Sequence, residues 1–113
     1  MEVAINVSDE FKRQFKRLLK KYHSLSNDFI VFKENLSQNP LQGIELGAGV
    51  RKIRMAIASK GKGKSGGARV ITFTVKNDGN NIKITLLTIY DKNEISNVTD
   101  SYIKTLINDL LSN

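Results

Sequence analysis

Apolar and small or polar residues alternate at the start of the chain. Val3, Ile5 and Val7 are separated by Ala4 and Asn6, the period of a strand. The period then lengthens. Phe11, Phe15, Leu18, Leu19 and Tyr22 recur at helical spacing, while Lys12, Arg13, Lys16, Arg17, Lys20 and Lys21 cover the other side, which predicts a helix from Asp9 to about His23. Ser8 and Asp9 suit its N-cap, and Asp9 and Glu10 suit the positive end of its dipole. Residues 24–28 break this helix and cap a second, whose apolar stripe is Leu25, Phe29, Phe32 and Leu36 and which Asn39-Pro40 ends. Residues 41–49, with Gly43, Gly47 and Gly49, read as a loop.

Strand-like runs follow at 50–58 and 68–75, joined by the glycine- and lysine-rich segment 59–67. In the first run Ile53, Met55 and Ile57 share one face, with Lys52, Arg54, Ala56 and Ala58 on the other. The second run is apolar on both faces apart from Arg69 and its threonines, as in a central strand. Asn77-Asp78-Gly79-Asn80 is a tight-turn signal, and residues 82–90 form a further strand. A last helix begins near Thr99 or Asp100 and runs to about Leu111, with Ile103, Leu106, Ile107 and Leu110 inward. These elements predict one two-layer α+β domain over residues 1–113. In it, the N-terminal strand and two helices pack on a mainly antiparallel four-stranded sheet, and a C-terminal helix follows.

Charge changes the picture more than composition does. The chain carries a net +7, and residues 46–77 contain eight basic residues and no acidic one. Cations gathered at one end of a hairpin repel one another unless an anion lies among them, and a nucleic-acid backbone is the anion that suits a basic protein. The absence of cysteine excludes disulfides, thiolate catalysis and Cys-type zinc sites. The opening residues lack the basic and apolar regions of a signal peptide, and no apolar run is long enough to span a membrane, so a cytoplasmic protein is expected.

No standard catalytic or cofactor motif is present, and neither a cofactor nor a metal is expected. Residues 61–67 look like a phosphate-binding loop by composition, but the spacing is wrong and a strand follows them. His23, the only histidine, punctuates a helix end. Lysine, arginine and tyrosine remain, and that set suffices to cleave RNA. The 2′-hydroxyl attacks the adjacent phosphorus, so an enzyme must help remove its proton, stabilise the phosphorane and protonate the leaving 5′-oxygen. Arginine stabilises the phosphorane with its planar fork. A lysine crowded by other cations becomes a better base. Tyrosine exchanges a proton or stacks on a base. Lys52, Arg54 and Arg69 fall on one face of the paired strands, with Lys60, Lys62 and Lys64 expected to overhang them, and with Tyr90 and Lys92 at the end of the neighbouring strand.

The element order, together with Leu46-Gly47-x-Gly49-Val50-Arg51-Lys52-Ile53-Arg54, Gly66-Gly67-Ala68-Arg69-Val70-Ile71 and Ile89-Tyr90-Asp91-Lys92-Asn93-Glu94, resembles the RelE/ParE superfamily of bacterial toxins, most closely its HigB-like branch. The resemblance implies a small microbial-RNase-like fold and metal-independent cleavage of mRNA in the ribosomal A site. It also implies a cognate antitoxin, with the free toxin a monomer that forms a hetero-oligomer with that antitoxin. Carried over by position, Lys52 and Arg54 match the basic pair of the strand after the loop, and Arg69 matches the phosphate-binding arginine of the next strand. Tyr90 and Lys92 lie where the family places its C-terminal tyrosine, histidine or basic residues. Arg51, Lys60, Lys62 and Lys64 are expected to hold RNA beside these five. Some HigB-like members place histidines in the site, and His23 lies in the wrong segment, so proton transfer falls to Lys52, Lys60, Lys92 or Tyr90. The basic face of the first helix is either a contact for ribosomal RNA or an ordinary solvated face. Two other functions share the scaffold or the charge: inhibition of DNA gyrase, as in ParE-type toxins, and RNA binding without catalysis.

Overall fold

The structure, a computed structural model, describes residues 2–61, 63 and 66–112. Its elements are β1 (Val3–Val7), α1 (Asp9–Leu19), α2 (Leu25–Gln38), β2 (Ile44–Gly47), β3 (Val50–Met55), β4 (Ala68–Lys76), β5 (Ile82–Asp91) and α3 (Asp100–Leu111). A short 3-10 turn, Ala58–Lys60, begins the connection from β3 to β4. The α+β class agrees with the sequence reading, but the sheet has five strands, not four. Their order is β1-β5-β4-β3-β2, with β1 parallel to β5 and every other pair antiparallel.

The extra strand is β2, which the glycines around it made look like a loop. It pairs with β3, Ile44 opposite Lys52. Gly43 at its start sits at φ +89°, and a Cβ there would lie 2.5 Å from the Lys52 carbonyl oxygen, so that glycine permits the pairing. Strand β3 is shorter than the predicted 50–58. Ile57 nevertheless stays buried beyond its end, with Ile53 and Met55.

Helix α1 stops at Leu19, short of His23. The amides of Lys21 and Tyr22 both donate to the Leu18 carbonyl, which tightens the chain into a turn. The helix starts at a true cap: the Ser8 hydroxyl accepts from the Phe11 amide. The same hydroxyl donates to the carbonyl of Leu87, and the Ser8 amide donates to that of Leu86. These two carbonyls flank an irregularity in β5, where the register against β4 slips between Ile71 and Thr72.

That bulge divides the faces of β5. Before it, Ile82, Ile84 and Leu86 pack against α1 and α2 with Phe11, Leu18, Leu25, Phe32 and Leu36. After it, Ile89 takes that face, and Tyr90 turns to the opposite one. The opposite face has its own core of Val50, Ile71, Leu87 and Tyr90 under Ile103, Leu106, Ile107 and Leu110 of α3. The predicted two layers are therefore incomplete: α3 forms a third layer over part of the sheet's other side. The hydroxyl of Tyr102 in α3 donates to Glu10 in α1 and so ties the two helices together around the free end of β5.

Candidate functional site

The sheet face that carries α3 is left open toward the ends of β3, β4 and β5, and cations gather there. Cross-strand register sets the row: Arg54 on β3 is opposite Arg69 on β4, which is opposite Tyr90 on β5. Adjacent strands lie about 4.8 Å apart, so the two guanidinium groups and the phenol spring from a span of about 10 Å. In the next row Lys52 faces Ile71, and Ile44 of the edge strand lies beyond Lys52. Lys92 follows the end of β5 on the same side. The result is a cleft of about 480 Å³ lined by Lys52, Arg54, Arg69, Tyr90 and Lys92, with Gln42, Gly43, Ile44 and Ser96 around them. The structure thus brings together all five residues that the sequence reading placed at the chemistry.

The members differ in their surroundings. Arg69 is 6% exposed, and its guanidinium donates to the Ala68 carbonyl, which holds it on the cleft floor. Arg54 is exposed above it. Tyr90 is buried along its ring, and its hydroxyl reaches the side-chain oxygen of Asn97 at 3.4 Å. Burial pushes the Tyr90 hydroxyl above its ordinary value, and the Arg69 guanidinium offsets this only in part. The phenol is therefore protonated at neutral pH and acts as a donor. Lys52 donates to the same Asn97 oxygen at 3.4 Å, and the Val98 amide does so at 3.0 Å. Asn97 thus joins the basic strand to the tyrosine. It lies in the irregular segment between β5 and α3, where no periodicity marks it, and sequence reasoning missed it together with Gln42, Ile44 and Ser96.

The cations expected to hold RNA are arranged differently. Arg51 is one residue out of phase with Lys52 and Arg54 and does not line the cleft. Its guanidinium donates to the Leu41 carbonyl at 2.8 Å and pairs with Glu45 at 3.1 Å. Lys60 does not overhang the cleft either. Its side chain is 6% exposed, and its ammonium lies 2.8 Å from the fully buried Asp91 carboxylate. Asp91 also accepts from the Tyr22 hydroxyl and from the Asn93 amide, and Lys21 lies 3.7 Å away. Burial pushes the Asp91 carboxyl up, but the hydrogen bonds from Lys60, Tyr22 and Asn93 outweigh it and bring the group down to about 2. A partner 31 residues distant was not readable from the charge run. The 3-10 turn is fastened from its other side too. Asp28 accepts from the Ala58 amide, and the Ser24 hydroxyl accepts from the Ser59 amide. Lys62 and Lys64 lie outside the described residues.

The lining holds no carboxylate among the described residues, and these residues contain no group of three or more His, Cys, Asp or Glu placed to hold a metal ion. What the cleft offers is two guanidinium forks, two ammonium groups and a phenol donor, a set matched to a phosphodiester. Fold and cleft together describe a small α+β protein with a cationic trough on one sheet face. Comparison with protein-family models matches residues 10–108 to the family described as the RelE toxin of the RelE/RelB toxin–antitoxin system. The chain belongs to this family: it is the toxin of a toxin–antitoxin pair, and the family implies a cognate antitoxin as its partner. No helix among the described residues is long and apolar enough to cross a membrane.

Proposed function

We propose that the protein is a ribosome-dependent endoribonuclease that stops translation by cleaving mRNA in the A site without a metal ion. The carrying observation is the direct opposition of Arg54 and Arg69 across β3 and β4 with Tyr90 next in the row. Like charges facing each other on a sheet are unfavourable, and a phosphate between them turns that cost into a binding interaction.

In this reading Arg54 and Arg69 hold the scissile phosphate and neutralise the phosphorane as it forms. The 2′-hydroxyl of the preceding nucleotide attacks phosphorus, the bond from phosphorus to the 5′-oxygen breaks, and the products are a 2′,3′-cyclic phosphate and a 5′-hydroxyl. The proton leaving the 2′-oxygen and the proton reaching the 5′-oxygen pass through groups in the cleft. Tyr90, held protonated by burial, suits the donor role. Lys52 and Lys92 stand at the β3 and β5 sides of the phosphate. Dependence on the ribosome follows from the openness of the trough, which leaves an RNA strand to be oriented by something besides the toxin. The site of action is then the cytoplasm.

Purified toxin, free of antitoxin, added to a reconstituted translation reaction should cut the translated reporter mRNA at discrete positions and leave the same mRNA whole when ribosomes are omitted. Intact mRNA in the presence of ribosomes, with inhibition of DNA supercoiling by gyrase, would replace this reading with the ParE-type one.

A further inference from the structure

The polar side chains that line the cleft are mostly donors. Lys52, Arg54, Arg69 and Lys92 carry donors only, and the protonated Tyr90 phenol offers its hydrogen. That set suits a phosphate and leaves the rest of a nucleotide without partners. The remaining lining is Gln42, Gly43, Ile44 and Ser96. Among these, Gln42 is the side chain fixed as an acceptor, whereas the Ser96 hydroxyl can turn either way. The Gln42 amide nitrogen donates to the Asn35 carbonyl at 3.2 Å and to the Asn39 carbonyl at 3.0 Å, so both of its hydrogens are used at the C-terminal end of α2. Turning the amide over would set oxygen against oxygen, so the assignment of its two atoms is settled by these partners. Oε1 is what remains for the cleft. The backbone is held there too: the Gln42 N–H donates to the Asn39 carbonyl at 3.3 Å, and Gly43 beside it lies against the Lys52 carbonyl. Two residues on, Ile44 is 59% exposed and stands opposite Lys52 on the cleft side of the sheet. An aliphatic side chain that open adds little to the core and gives the trough one apolar wall.

We infer that Gln42 and Ile44 form a nucleobase subsite beside the Arg54–Arg69 row, in which Ile44 packs on the face of the base and Gln42 Oε1 accepts from its exocyclic amino group, so that uracil is discriminated against. The inference rests on the proposed function, which puts RNA in the cleft. Ile44 lies one and a half strand spacings across and two residues along from the midpoint between Arg54 and Arg69, a separation of about 10 Å at the backbone. Side chains on both sides close that gap to the reach of a base from a neighbouring phosphate. Sequence-specific RNA recognition takes unstacked bases in this way, packing their faces and bonding their Watson–Crick edges. Cytosine, adenine and guanine each carry an exocyclic amino donor, and uracil carries none. Where cytosine has its N4 amino group, uracil has the O4 acceptor. Against a fixed amide oxygen the first forms a hydrogen bond, and the second opposes two lone pairs and leaves both desolvated without a partner. The two pyrimidines match in shape and charge, so their ratio of affinities reads that one contact.

The test measures binding of antitoxin-free toxin to two fluorescein-labelled hexanucleotides, one all cytidine and one all uridine. Both carry 2′-fluoro sugars, so no nucleophile is present and neither is cut. Fluorescence anisotropy at low salt gives the two affinities. Wild type should bind the cytidine oligomer about tenfold more tightly than the uridine one. Gln42→Met keeps the length of the side chain and removes the amide, and should bring the ratio within about threefold of unity, chiefly by weakening the cytidine oligomer. Ile44→Ser should weaken both oligomers alike and leave the ratio unchanged. If Gln42 only caps α2, its replacement lowers stability and leaves the ratio as in wild type. A wild-type ratio near one, or a folded Gln42→Met variant that keeps the wild-type ratio, would overturn the inference. Arg69→Ala measured alongside separates this from the proposed function. A ratio near one with binding weakened by Arg69→Ala means that the cleft takes RNA without reading this base, and only the subsite falls. Undiminished binding of both oligomers by Arg69→Ala takes RNA out of the cleft and overturns both.

Discussion

Replacing Asp91 by Asn tests the reasoning about buried charge. The carboxylate is fully buried, accepts from Lys60 at 2.8 Å, and has its carboxyl lowered from 3.8 to about 2. A group whose folded value lies below its unfolded value stabilises the protein at pH above the unfolded value, and that stability is lost as pH falls through the folded value. From 3.8 to about 2, at 1.36 kcal/mol per pH unit, the ionised carboxylate contributes about 2.5 kcal/mol at neutral pH. The substitution adds a second cost, because the Lys60 ammonium is left with 6% exposure and no counter-charge on that side. Breaking one partner of a buried pair costs roughly 3–5 kcal/mol. Lys60 is on a flexible stem in a hairpin connection and can swing into water, so Asp91→Asn should fall at the low end, about 3 kcal/mol at pH 7. Urea unfolding followed by circular dichroism measures this at pH 7, 5, 4 and 3. The gap between wild type and variant should hold down to about pH 5 and narrow by about 1 kcal/mol between pH 5 and pH 3. Adding Lys60→Met to Asp91→Asn should recover at least half of the loss. A variant as stable as wild type at pH 7, or a gap that does not change with pH, would refute the account of this network.

Other substitutions separate packing from chemistry. Thr72 is fully buried in β4 with a hydroxyl that has no hydrogen-bond partner among the described residues, so the near-isosteric Thr72→Val should stabilise by about 1 kcal/mol in the same urea assay. Gly67→Ala would place a Cβ 2.2 Å from the Met55 carbonyl oxygen. It should cost at least about 2 kcal/mol and shift the hairpin amides in NMR spectra. Tyr90→Phe keeps the ring and deletes the protonated hydroxyl. It should lower kcat about 10- to 100-fold with KM changed less than threefold, measured by single-turnover cleavage on programmed ribosomes.

Much of the cleft was legible because strand alternation is a strict rule. Once β3 and β4 are paired, Ile53 and Met55 point inward, and Lys52, Arg54 and Arg69 have to share the other face. Tyr90 obeyed no such rule. Counting in steps of two from Ile82, Ile84 and Leu86 puts it on the α1 side, and only the bulge after Leu86 turns it toward Arg69. That bulge left no trace in a strand that is apolar on both faces, so the strand's end put Tyr90 near the basic row while alternation did not say which face it takes. Strand β2 was hidden because its pairing relies on Gly43 at positive φ, and glycines also mark loops. The inward stripe of α3 was plain from Ile103, Leu106, Ile107 and Leu110, but amphipathicity does not say which side of a sheet a helix covers. Lys60 was expected over the cleft and lies on Asp91 instead, because a charge run shows local repulsion and not a buried carboxylate brought near by the fold.

The central claim, that a phosphate held between Arg54 and Arg69 is cleaved by this protein on the ribosome, is tested most directly by primer extension on a reporter mRNA in a reconstituted translation system, with wild type beside Arg69→Ala. Wild type should give discrete cleavages. Arg69→Ala should lose at least about a thousandfold in cleavage rate while binding ribosomes within about tenfold of wild type, because the arginine acts on charge that develops in the transition state. Equal cleavage by the two proteins, or a loss of ribosome binding as large as the loss of rate, would contradict it.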